Sequence, residues 1–118
     1  TFIKKTKVEG VYAIPRGTVP PNPSELLDSV NYKIIMEILK KNFDRIIIDG
    51  VPVNGLPDSL IMASSADRVI IVCSCNYTNI DELAETKKAL LKIEANIAGV
   101  IVNRAPSTKR GKYSNYYG

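Results

Sequence analysis

The chain has 118 residues, enough for one domain with a real core and too few for two. Its residues are 45% hydrophobic and 24% charged with a net charge of +4, which excludes a natively disordered composition, and no apolar run approaches the roughly 20 residues of a membrane span. Histidine is absent and there are only two cysteines, so the commonest general base is missing and no zinc site can be assembled.

The opening stretch, TFIKKTKVEG, lacks the apolar middle and small-residue cleavage site of a secretory signal, so a cytoplasmic location is expected. The excess positive charge sits at the two ends, in Lys4, Lys5 and Lys7 and again in Lys109, Arg110 and Lys112. It is not interleaved with aromatic residues, and no nucleic-acid partner is expected. Val11 to Ile14 reads as a first short strand. The proline-rich PRGTVPPNPSELLDS that follows reads as an ordered loop starting a helix near Ser24 or Ser29.

Residues 29 to 41 place Ile34, Ile35, Ile38 and Leu39 on one helical stripe. Arg45 to Asp49 is the second strand, three isoleucines running into a carboxylate. A helix over 57 to 64 begins with Pro57, suited to a first helical position, and turns Leu60, Ile61 and Ala63 inward. Arg68 to Cys73 is the third strand, with Cys73 and Cys75 read as core or strand-end residues. Residues 79 to 94 form a helix with Asn79 as cap and Glu82 completing a capping box; Asp81, Glu82 and Glu85 lead and Lys87, Lys88 and Lys92 follow, matching the helix dipole. Ile97 to Val102 is the last strand.

The last three strands are nearly continuous in Ile and Val, as expected of strands buried on both faces. The whole is an α/β fold, a parallel sheet flanked by helices. After Val102 regularity ends. Residues 1–104 are expected to form the domain and 105–118 a flexible, tyrosine-bearing tail.

Ligands of parallel α/β sheets bind beyond the carboxyl ends of the strands. Asp49 occupies such an end, as do Asn76 and Asn103. A carboxylate there can hold magnesium beside a phosphate, or simply cap a loop, and the pattern alone leaves both open. None of the seven glycines builds a Gly-rich phosphate loop before Lys and Ser/Thr.

VPPNPSELLDS, FDRIIIDGVPV, GLPDSLIMASSADRVIIVC and ANIAGVIVNR, in this order and spacing, resemble the cytoplasmic domain of the bacterial tyrosine kinases of capsule and exopolysaccharide synthesis, the BY-kinases, over almost the whole chain. The resemblance implies the C-terminal part of a P-loop NTPase (Rossmann-like) fold lacking its phosphate-loop strand. It implies ATP and Mg2+ as cofactors, with Asp49 as the Walker-B carboxylate. Pro52 would shape the following loop, Asp58 would stand at the start of the next helix, and Asn103 would lie near adenine. Tyr113, Tyr116 and Tyr117 correspond to a cluster autophosphorylated between subunits. The implied partners are a transmembrane polysaccharide co-polymerase that activates the kinase and holds it at the inner face of the membrane, further copies of the kinase, and a tyrosine phosphatase.

Two departures stand out: Asp-Gly-Val-Pro replaces the usual Asp-Thr-Pro-Pro, and Pro57 stands where threonine is frequent. The phosphate loop, the second acidic Walker motif and an arginine-bearing oligomerisation helix are expected upstream of these residues. Without those strands a sheet edge or apolar face is expected to lie uncovered and to favour self-association. A response-regulator receiver domain is rejected, because PRG and NRAP stand where it needs an acidic pair and Lys-Pro. A partitioning-type ATPase and a noncatalytic binding relative are the remaining alternatives.

Overall fold

The computed structural model describes residues 2–18, 21–27, 29–53 and 57–106. The chain opens with a hairpin of β1, Lys4–Lys5, and β2, Tyr12–Ala13, paired antiparallel. Its turn is held by Thr6, whose backbone N–H donates to the Val11 carbonyl and whose hydroxyl also donates there, at 2.9 Å. Gly10 takes φ +76°, a conformation that favours glycine. The sequence pattern marked only the second of these strands. The first consists of two exposed lysines and carries no hydrophobic signal. Tyr12 packs edge-on against Phe43, ring centroids 5.3 Å apart, which ties the hairpin to the far end of the second helix.

Both helix starts considered in the proline-rich segment are used. A short helix α1 spans Pro23–Leu27, and α2 spans Val30–Asn42 with Ser29 as its N-cap, its hydroxyl accepting from the Tyr32 backbone N–H. Of the expected apolar stripe on α2, Leu39 alone is buried; Ile34, Ile35 and Ile38 remain about half exposed. Helix α3, Pro57–Ser65, starts on Pro57 as expected and buries Ser59 and Ala63. Strand β3, Val69–Ser74, precedes α4, Ile80–Lys92, and β4, Ile97–Asn103, closes the series. The capping box of α4 is present in full. The Asn79 side chain accepts from the Glu82 N–H at 2.7 Å, and the Glu82 carboxylate accepts from the Asn79 N–H at 3.2 Å.

β3 and β4 pair in parallel, Ile71 opposite Val100 and Ser74 opposite Asn103, with α4 as the crossover. One face of this pair carries the core. Ile71, Leu90, Ala63 and Ala95 are buried together, and Leu60, Leu83, Val69, Ile93 and Ile97 pack around them. The other face is bare: Ile70, Val72 and Ile101 are more than half exposed. The expectation of strands buried on both faces is therefore corrected, since among the described residues helices cover one face only.

A second correction concerns Arg45 to Asp49, which forms no strand. A strand exists through its inter-strand hydrogen bonds, and the described sheet contains β3 and β4 alone. Alternation survives there without pairing: Ile46 is half-buried, whereas Ile47 is 87% exposed. The uncovered apolar face expected from the sequence is present in these two features.

Candidate functional site

The site builds outward from Asp49. The apolar residues before it pack partly inward, and the carboxylate emerges exposed, with no ion pair among the described residues. The next residue, Gly50, lies close to α3: a β-carbon there would meet the Ser59 Oγ at 3.5 Å and the Met62 Cε at 3.7 Å, ordinary van der Waals contact. Ser59, itself buried, donates its hydroxyl to the Val51 carbonyl. The loop leaving Asp49 is thus fastened to the first turn of α3, where Pro57 begins the helix and Asp58 stands half-buried beside Ser59. Pro52, exposed, follows Val51 on the same loop.

Asn103 occupies the carboxyl end of β4, next to the carboxyl end of β3. Its backbone carbonyl accepts from the Cys75 N–H at 2.9 Å, and its side-chain oxygen accepts from the Arg104 N–H, also at 2.9 Å. Its amide NH2 donates to no partner among the described residues. Beyond the strand, Arg104 adopts φ +55° and holds its guanidinium 5.0 Å from the centre of the Tyr77 ring. Asn76, at φ +64°, forms the turn after β3. Tyr77 and Arg104 beside Asn103 were not singled out in the sequence. An arginine–aromatic pair 27 positions apart becomes visible only through the register of two parallel strands.

The structure therefore fastens the loop that carries Pro52 after Asp49 to the first turn of α3, which carries Asp58, and sets Asn76 and Asn103 at the adjacent ends of β3 and β4. No hydrogen bond or ion pair joins Asp49 to Asn103 or Asn76 among the described residues. No cluster of three acidic, cysteine or histidine side chains able to hold a metal occurs among them either. Magnesium beside a nucleotide commonly takes only one or two protein carboxylates, the remaining ligands being water and phosphate oxygen. A single exposed Asp49 fits that donor set and could not form a stand-alone cation site. Cys73 and Cys75 are free and half-buried in and just after β3. Tyr113, Tyr116 and Tyr117 lie outside the described residues.

Comparison with known proteins finds relatives along nearly the whole chain. The chain is 33% identical over 116 residues to the putative tyrosine-protein kinase CapB of Staphylococcus aureus, covering 98% of this chain and 51% of that protein. Its homologues, matched along nearly the whole of this chain, are bacterial tyrosine kinases. It is also 32% identical over 113 residues to the tyrosine-protein kinase CpsD of Streptococcus pneumoniae, of which it covers 50%. Among solved structures, the chimerical protein CapA2B2 superposes with a TM-score of 0.86 at 31% identity, covering 90% of this chain and 47% of that one. The VpsO kinase domain superposes with a TM-score of 0.82 at 30% identity, covering 87% and 51%. The chain spans about half the length of these bacterial tyrosine kinases. No family profile matches it. No helix among the described residues is long and apolar enough to cross a membrane.

Proposed function

We propose that this chain is the C-terminal part of an ATP-dependent protein-tyrosine autokinase that regulates the synthesis and export of capsular or extracellular polysaccharide, inactive unless completed by a phosphate loop. The observation that carries this reading is the superposition on CapA2B2 along 90% of the chain at 31% identity.

In this reading Asp49 would hold magnesium, directly or through water, and the ion would supply charge neutralisation at the triphosphate. The Ser59 hydroxyl fixes the loop after Asp49 through the Val51 carbonyl, so the carboxylate is presented from a fastened backbone. Pro52 restricts that loop further, and Asp58 stands at its base. The NH2 of Asn103, which has no partner among the described residues, is a donor suited to an acceptor nitrogen of adenine, while its oxygen stays engaged by Arg104. Residues 1–104 act as the catalytic-domain portion and 105–118 as a tail whose Tyr113, Tyr116 and Tyr117 accept phosphate from a neighbouring subunit. Each phosphate would add about two negative charges to a basic segment. Activation by a transmembrane polysaccharide co-polymerase at the cytoplasmic membrane face, and reversal by a tyrosine phosphatase, complete the proposal.

The test is a chimera in which this chain replaces the matching half of CapB, assayed for tyrosine phosphorylation. Activity is expected, with a loss of 100-fold or more on Asp49→Asn, on the order of the effect of removing a key transition-state charge contact. Joint replacement of Tyr113, Tyr116 and Tyr117 by Phe should abolish phosphate incorporation into the chimera while leaving an added peptide substrate phosphorylated. A folded chimera without activity, or one indifferent to Asp49→Asn, would refute the reading.

A further inference from the structure

Asp49 is the one aspartate of the chain that precedes a glycine. Both residues are exposed, and both lie in the stretch 45–52, which belongs to no helix or strand. The Gly50 backbone N–H makes no hydrogen bond among the described residues, and the Asp49 carboxylate makes no ion pair there. No side chain on residue 50 shields that nitrogen. A bond from it to the Asp49 Cγ closes a five-membered ring, and groups held in one chain react without the entropy cost of an encounter.

We infer that Asp49–Gly50 is a site of spontaneous isomerisation, where the Gly50 nitrogen closes on the Asp49 side chain and leaves an isoaspartyl linkage. The steps need only water. The nitrogen attacks Cγ of the protonated carboxyl and loses its proton, and the carboxyl hydroxyl leaves with a proton as water, giving a succinimide. Water then adds back. Addition at Cγ restores aspartate. Addition at the Asp49 backbone carbonyl carbon breaks its bond to nitrogen, so the chain continues through Cβ and Cγ and the former backbone carbonyl becomes the carboxylate. The product has the mass of the parent, one more carbon in its backbone and one fewer in its side chain. The fold directs the reaction to this position. Asp44 and Asp67 are exposed too, but an arginine follows each, and its side chain crowds the attacking nitrogen. Asp58 and Asp81 lie in the first turns of α3 and α4, where intrahelical bonds fix the backbone torsions that closure must turn. The Asp49 segment has no such restraint, and the reaction is open for as long as the segment stays unpaired. If Asp49 holds magnesium as proposed above, the isomer would withdraw the carboxylate from the place the fastened loop gives it. Only that consequence rests on the kinase reading.

The test is to store the whole chain for weeks in mildly acidic buffer and to map isoaspartate by electron-transfer mass spectrometry of its peptides, which places each isomer at its residue. Asn54–Gly55, outside the described residues, reacts with loss of ammonia and is told apart by its change in mass. Isoaspartate at Asp49 should form about tenfold or more faster than at Asp44 or Asp67, a barrier lower by about 1.4 kcal/mol. Gly50→Ala should slow it by about tenfold. A β-carbon at residue 50 makes only ordinary contact with Ser59 and Met62, so this variant keeps the fold, as circular dichroism should verify. The parent held in urea should react at nearly the rate of the folded chain, because the segment is unrestrained in both. Equal isomer at the three aspartates would overturn the inference. So would a Gly50→Ala chain that ages as fast as the parent. A folded chain about tenfold or more slower than the same chain in urea would show that the native backbone denies the attack, and would overturn it as well.

Discussion

Truncating Leu90 should cost the chain most of its stability, and truncating its neighbour Leu91 very little. Leu90 is 1% exposed, enclosed by Ala63, Ile71 and Ala95 with Leu60, Leu83 and Ile93 around them. Leu90→Ala removes three buried carbons, about 2.4 kcal/mol at about 0.8 kcal/mol each, before any cavity is counted. Leucine-to-alanine changes in well-packed cores cost about 2.7 to 5.0 kcal/mol. Several neighbours here are only half-buried and free to move inward, so about 3 kcal/mol is expected. Leu91→Ala at a 54% exposed position leaves no cavity and should cost about 1 kcal/mol or less. Only five apolar residues are buried among the described ones, which puts the parent near the low end of the roughly 5–15 kcal/mol of native domains. Urea titration followed by circular dichroism at 222 nm, at micromolar protein, measures all three. Equal costs for the two leucines, or less than 1 kcal/mol for Leu90→Ala, would show that α4 does not pack as described.

Asn79→Ala removes the acceptor for the Glu82 N–H and should lower stability by about 1 kcal/mol in the same urea titration, with Asn79→Ser retaining most of it. Mg-ATP titrated into the 118-residue chain by calorimetry should show no micromolar binding. Asp49 is one carboxylate without a phosphate cradle, and the grip on phosphates in such enzymes comes largely from backbone N–H groups and a lysine. Micromolar binding would place the phosphate grip within these residues.

The helices were the legible part of the fold because their signals are local. Ser29, Pro57 and Asn79 with Glu82 each mark a helix start through bonds formed within one turn, and all three act as the sequence suggested. Strands β3 and β4 were legible too, through runs of Ile and Val long enough to survive one bare face. Arg45 to Asp49 has the same composition but forms no strand, because composition reports a willingness to pair and pairing needs a neighbour. The site divides along the same line. Asp49 and Asn103 could be proposed because the carboxyl ends of parallel strands gather ligands whatever the family. The Ser59 bond to Val51 and the Arg104–Tyr77 stack, which position them, depend on contacts across 8 and 27 residues that no short motif encodes.

The unpaired Asp49 segment and the bare face of β3 and β4 are two signs of one condition. Ile47, Ile70, Val72 and Ile101 are large apolar side chains left in water. Large apolar side chains exposed in this way usually have something set against them. In a parallel α/β sheet such surfaces are covered by a neighbouring strand and by a helical layer. The solved bacterial tyrosine kinases that superpose on this chain contain about as many residues again as it matches, enough for both. Pairing the Asp49 segment with such a strand would bury Ile47 and hold the carboxylate at a true strand end. The same step that covers the apolar surface would thus place the magnesium ligand, so in the proposed kinase, stability and activity would be gained together.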